Sequence, residues 1–244
     1  MNLRTDQIGE IVKFDFRTAA IFKQNGIDFC CKGDRTVDEA CRSKKINPNI
    51  IYSAIEELPN RKSEMIDFDI FPLDLLADYI EKTHHRYADE KIPILQIFLE
   101  KLVRVHGEKH PELIEICDLF NNSARDLAIH FKKEELILFP FIRNLISSKL
   151  SNLELNAPNF GSVENPITMM KDDHTLEGER FAKIAQLASN YAPPADACNT
   201  YRVTFAMLEE FENDLHTHIH LENNILFPKA ILLESEMACY INKN

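Results

Sequence analysis

The sequence predicts an all-α protein, a four-helix up-down bundle preceded by a small helical N-terminal domain. Three observations predict it. Gly is scarce at 6 of 244 residues, and clusters of turn residues are few. Leu, Ile, Glu, Lys and Ala dominate, which favours helix over strand. Beyond residue 72, apolar residues recur at alternating steps of 3 and 4 in four long stretches. A hydrophobic content of 45% is ample for a packed core.

Residues 1–60 read as short helices. Ile8, Ile11 and Val12 form one apolar patch. Arg17 to Asn25 carries Ala19, Ala20, Ile21 and Phe22 and stops at Gly26, a suitable residue just past a helix end. The loop Ile27-Asp28-Phe29-Cys30-Cys31-Lys32-Gly33-Asp34-Arg35 follows. Thr36 stands three before Glu39, a capping-box pattern for a helix to about Lys45. Pro48 suits a first helical turn, and Ile51, Ala54, Ile55 and Leu58 continue it. Pro59-Asn60-Arg61-Lys62-Ser63 is polar and breaks the pattern, so we expect a linker over 61–71 and the bundle over 72–244.

The first long helix is expected from Pro72 to about Val105, kinked at Pro93. The second runs from about Pro111 to Ser147, followed by a polar loop from Ser151 to Asn165. The third spans Pro166 to Asn190. Pro193-Pro194 break the chain before the fourth, from about Ala195 to Glu234.

A net charge of −11 without a basic run excludes ordinary nucleic-acid binding, which needs clustered Lys and Arg. Met1-Asn2-Leu3-Arg4-Thr5-Asp6 leads into no apolar segment, and no run approaches 18 apolar residues. No secretory signal or membrane span is therefore expected, and the reading is cytoplasmic. In that compartment the six Cys are expected as free thiols.

The segment from His130 to Pro140 reads H-x3-E-x4-F-P, and the same pattern returns 88 residues later from His218 to Pro228. A His and a Glu four apart share one helix face. On the first helix, Leu73, Ala77, Ile80, His84 and Tyr87 share the apolar stripe, while neighbouring His85 falls with Asp78, Glu81 and Asp89. The other stripes carry His130 and Glu134; His174, with Glu177; and His218 and Glu222. His84 and His174 are 90 apart, close to the repeat of the other pairs. His216 and His220 fall on the opposite face and are expected to be solvated. His106 and His110 are expected at the surface.

Four inward His and two inward Glu would be very costly without a cation. The set exceeds what one tetrahedral zinc uses. Mixed imidazole and carboxylate ligands suit iron or manganese. Two bridging Glu leave two His per metal and open positions, the arithmetic of a non-haem di-iron site in a bundle.

This H…H-x3-E…H…H-x3-E array, with Leu-Phe-Pro after each Glu, resembles the hemerythrin-like superfamily. With Asp28-Phe29-Cys30-Cys31 ahead of it, the chain more narrowly resembles the di-iron proteins that repair iron centres. The resemblance covers nearly the whole chain. It implies His84, His130, Glu134, His174, His218 and Glu222 as ligands of two iron ions, with carboxylate and oxo bridges. It implies a non-enzymatic protein that restores iron–sulfur clusters damaged by nitric oxide or peroxide, by donating iron to damaged iron–sulfur proteins. The resemblance is consistent with a homodimer. Nitric oxide or peroxide reduction, with electrons from a partner, and oxygen or nitric oxide sensing stand as alternatives at the same site. Oxygen-carrying hemerythrins have a further His and an Asp, which this chain does not match.

Cys30 and Cys31 have Lys32, Arg35 and a helix start close by. That setting is expected to favour thiolate. Such a pair would serve as a thiol relay accepting iron or as a redox contact with a client. Cys41, Cys117, Cys198 and Cys239 are read as packing or surface residues.

Overall fold

The computed structural model describes residues 2–58, 66–151 and 158–241, with side chains to 237. The boundary expected at Pro59-Asn60-Arg61-Lys62-Ser63 lies outside the described residues, as does part of the loop expected over 151–165.

The N-terminal helices are α1 (Ile8–Phe14), α2 (Thr18–Gln24), α3 (Val37–Lys44) and α4 (Pro48–Glu56). The Thr36 capping box is present in both directions: the Glu39 amide donates to the Thr36 hydroxyl, and the Thr36 amide donates to the Glu39 carboxylate. Asn47 caps α4, and Pro48 opens it. After a 3-10 turn at Phe68–Ile70 come α5 (Leu73–Ile80), α6 (Arg86–His106), α7 (Glu112–Lys133), α8 (Phe139–Ser151), α9 (Glu164–Leu187), α10 (Asn199–Leu221) and α11 (Phe227–Ile241). Three π turns, Glu81–His85, Glu134–Leu138 and Glu222–Leu226, splice α5 to α6, α7 to α8 and α10 to α11. The result is four long helices, as the periodicity predicts. Pro93 lies inside α6 without ending it.

Chain direction follows from the contacts. α5 packs on α8 and α6 on α7, so the first two long helices are antiparallel. α9 packs on α7, and α10 packs on both α9 and α6, closing the ring. No helix among the described residues is long and apolar enough to cross a membrane.

Two apolar clusters fill the bundle. One holds Leu73, Leu76, Ile80, Leu138, Phe139, Ile167, Met170, Leu226 and Phe227. The other holds Leu95, Leu99, Phe120, Leu127, Phe181, Phe211 and Leu215. The second cluster continues into the N-terminal helices through Ile8, Ile11, Phe22, Phe29 and Val37, so the small unit shares a core with the bundle. Each long helix crosses from one cluster to the other, and the layer between them is polar.

Gly9 and Gly33 allow the N-terminal loop to press onto α1. The Gly9 amide donates to the Gly33 carbonyl at 2.8 Å, and the Ile8 amide to the Arg35 carbonyl at 2.8 Å. A Cβ on Gly33 would stand 2.5 Å from the Phe29 carbonyl oxygen and 3.2 Å from Gly9 backbone atoms. Backbone cannot swing aside as a side chain can. Gly33→Ala is expected to destabilise the fold by about 1–3 kcal/mol, read as a lowered thermal midpoint. An unchanged midpoint would disprove the close packing.

Candidate metal centre

The polar layer contains six side chains around two points. Ligand atoms of His85, Glu134, His218 and Glu222 lie within 4.8 Å of one another, and so do those of His130, Glu134, His174 and Glu222. Glu134 and Glu222 belong to both groups. The Nε2 atoms face the carboxylates: His85 at 3.3 Å and His130 at 3.1 Å from Glu134, His174 at 3.1 Å and His218 at 3.2 Å from Glu222.

The far sides of the rings are anchored. His85 Nδ1 is 3.1 Å from Glu135 Oε1, His130 Nδ1 is 3.2 Å from Asp173 Oδ2, and His174 Nδ1 is 2.9 Å from Asn223 Oδ1. These oxygens accept, so each Nδ1 carries a proton and Nε2 is the nitrogen left to offer a lone pair when a metal is bound. This is how protein carboxylates and amides orient imidazoles toward a metal. Sequence reasoning did not single out Glu135, Asp173 or Asn223 for this role. Each is adjacent in sequence to a ligand candidate, which was the available signal.

Both carboxylates have 0% exposure. Neither oxygen of Glu134 or of Glu222 has a well-directed hydrogen bond, and neither does Nε2 of His85 or His218. The ion-pair distances above are short, yet the directions are wrong for N–H donation. The direction decides, because lone pairs converging on a shared point are what a cation satisfies. Unpaired buried carboxylates are otherwise strongly disfavoured. The donor set of imidazole nitrogen and carboxylate oxygen, with no thiolate, fits a pair of divalent iron or manganese ions.

The structure brings His130, Glu134, His174, His218 and Glu222 together, but it places His84 outside both groups and His85 inside. The π turn at Glu81–His85 is the reason. It inserts one residue, so the inward positions run Leu73, Leu76, Ala77 and Ile80, then His85, Ala88, Leu95, Leu99 and Leu102. A stripe at 3.6 residues per turn, carried across that insertion, selects His84 instead. His84 is buried, turned to Asp214 with Nδ1 at 3.0 Å from Oδ1, and stacked at 6.0 Å on the His218 ring. Glu177, also on its predicted stripe, is buried against Ser123 and Arg180 rather than in either group.

His216 and His220 are not solvated. His220 is buried between Phe16 and Phe29, at 5.7 and 6.0 Å, and His216 is half-buried against Phe29 at 6.0 Å. The face of α10 opposite the metal layer is covered by the N-terminal unit, which a helical wheel cannot show. Burial, with Lys13 nearby, pulls His220 down to about 4.

The same unit carries the cysteine pair to the centre. Cys31 Sγ is 3.2 Å from the His174 carbonyl oxygen, and Asn223 Nδ2 donates to the Cys30 carbonyl at 3.2 Å. Asn223 thus joins the cysteine loop to the His174 ring. The two sulfurs are 3.8 Å apart and free, and with Asp28 they form a third group of potential ligands. At Cys30 the expected thiolate is not what this setting favours. The hydrogen bond between the two thiols, burial, and the Cys31 and Asp28 charges raise Cys30 well above the usual thiol range. Of the remaining cysteines, Cys41 and Cys117 are buried, Cys198 is exposed, and the Cys239 side chain lies outside the described residues.

Comparison with known proteins places this geometry in a family. The hemerythrin HHE cation binding domain model matches residues 77–230, and a model described as a domain of unknown function (DUF542) matches residues 4–59. The iron-sulfur cluster repair protein ScdA of Staphylococcus haemolyticus is 33% identical over 222 residues, covering 91% of this chain and 96% of that protein. The iron-sulfur cluster repair proteins YtfE of Musicola paradisiaca and Yersinia pestis are each 32% identical over 231 residues. They cover 95% of this chain and 98% and 99% of their own.

The geometry separates His84 from His85. His85→Ala is expected to empty the His85 group in a metal titration. His84→Ala is expected to leave both groups able to bind metal, with affinity reduced at most about 10–100-fold. The opposite pattern would restore His84 as the ligand.

A pH effect follows from His130. Burial alone would lower it, but Glu134, Asp173 and Glu222 outweigh burial and raise it to about 10 in the metal-free fold. The raised value lies above the ordinary 6.5, so the stabilisation from this charged pair is complete below about 6.5 and is lost as pH rises through about 10. Metal binding requires the neutral ring. Loading between these limits should therefore release a proton from His130, and apparent affinity should rise with pH. Calorimetry in buffers of different ionisation enthalpy checks this, and identical apparent enthalpies would contradict it.

Proposed function

The chain belongs to the family of iron–sulfur cluster repair proteins with a hemerythrin-type cation-binding domain, and from that premise we propose that it restores damaged iron–sulfur clusters by donating iron held between its helices. The observation that carries this reading is the contact between the two halves. Cys31 Sγ touches the carbonyl of His174, whose ring belongs to the candidate metal centre.

In this reading His85, His130, Glu134, His174, His218 and Glu222 would hold two iron ions, Glu134 and Glu222 being common to both groups. Neutral imidazole and carboxylate bind ferrous iron less tightly than thiolates do, so the site can surrender it. Bound iron supplies redox capacity and open positions for small ligands. As iron leaves, His130 regains its proton from solvent, and the Glu134 charge holds it there. Cys30 stays protonated until metal arrives, since coordination itself deprotonates a thiol. Residues 1–60 then act as a thiol unit, 61–71 as the linker and 72–244 as the iron-holding bundle. The recipients are iron–sulfur proteins damaged by nitrosative or oxidative stress. Delivery of this kind consumes the loaded protein and is not enzymatic turnover.

One observation favours a second reading at the same site. A cleft of about 200 Å³ between α7 and α9 reaches His130, His174 and His218 from the surface, past Lys133 and Asp173. It would admit a diatomic molecule or peroxide, for reduction with electrons from a partner, or for sensing.

Iron-loaded protein is expected to contain two irons per chain, and His130→Ala or His218→Ala to lose them. Under reducing, anaerobic conditions it should reactivate a cluster enzyme inactivated by nitric oxide. A Cys30→Ser/Cys31→Ser variant should keep its iron but lose most of that reactivation. Failure of the loaded parent to reactivate, together with multiple turnovers of nitric oxide or peroxide, would favour the second reading.

A further inference from the structure

The end of the bundle away from the metal centre carries a separate group of reactive side chains. His106 closes α6, 21 residues beyond His85, roughly 30 Å along the helix. His110 lies in the turn to α7. Asp196 and Cys198 precede α10. His106 Nε2 is 3.2 Å from Cys198 Sγ, and His110 Nε2 is 3.1 Å from Asp196 Oδ1. The buried Tyr201 meets both rings edge-on, at 5.5 and 5.7 Å, and so packs against His106.

Cys198 is the only exposed thiol among the described cysteines. It occupies the N-cap position of the 23-residue α10 yet makes no side-chain capping hydrogen bond, so its partner is His106. The start of a long helix favours negative charge. An accessible sulfur beside an imidazole base is the arrangement that thiol exchange uses. The other described cysteines lack it. Cys41 and Cys117 are buried, Cys30 is buried with its thiol held protonated, and Cys31 is engaged with the His174 carbonyl.

We propose that Cys198, with His106 as its proton acceptor, is a thiol-exchange site that takes up a low-molecular-weight disulfide. His106 Nε2 accepts the thiol proton as Cys198 Sγ attacks one sulfur of the disulfide. The Sγ–S bond forms, the original S–S bond breaks, and the departing thiolate is protonated in turn. One disulfide is exchanged for another, so no further oxidant is required. Excess low-molecular-weight thiol reverses the modification. The site is independent of the iron reading, because no metal ligand takes part.

The test treats the full chain, iron-loaded and with reduced thiols, with glutathione disulfide and maps adducts by mass spectrometry. A first adduct on Cys198, with iron content unchanged, is expected. First modification of any other cysteine would overturn the assignment, and this result needs no variant to fold. Cys198→Ser should abolish the fast adduct. His106→Gln should slow it by about 10-fold or more and change the pH profile of its rate. A His106→Gln protein that reacts at the parent rate with the parent profile would remove His106 from the site.

Discussion

Two buried carboxylates constrain this molecule more than any other groups. Glu134 and Glu222 have no exposure and no well-directed hydrogen bond, and a carboxylate in that state is tolerated only beside positive charge. The surrounding structure answers that need. Four imidazole nitrogens face them, and Glu135, Asp173 and Asn223 hold three of those rings from behind. The apolar core divides into two clusters, leaving a polar layer where each long helix passes from one to the other. The three π turns fall at this layer, where an extra residue per turn re-aims side chains between two well-packed halves.

The N-terminal unit is part of the same solution. Its Phe16 and Phe29 cover His216 and His220 on the outer face of α10, and Lys23 pairs with Glu212 at 2.6 Å. Asn223, beside the ligand candidate Glu222, ties the Cys30 backbone to the His174 ring. A change at the cysteine loop is therefore coupled to the orientation of a candidate ligand. The hydrogen bond with Cys31 and burial hold the Cys30 thiol protonated, so only a partner strong enough to displace a proton, as a metal ion is, would engage its sulfur.

The sequence by itself determined the helical class, the four long helices, the duplicated His and Glu pairs and the choice of Glu134 over Glu135. These depend on local periodicity and on an 88-residue repeat that one chain displays. Tertiary structure alone places His85 rather than His84 beside the two carboxylates, because a π turn depends on packing at the polar layer and breaks the 3.6-residue register by one. It also decided the fate of His220, whose face is buried by a segment nearly two hundred residues earlier in the chain. The state of Cys30 was settled the same way. Nearby Lys32 and Arg35 suggested a charged thiol, but burial and its contacts with Cys31 and Asp28 outweigh sequence neighbours. Electrostatic environment is a property of what surrounds a group in space, and sequence spacing along a helix reports only its own turn.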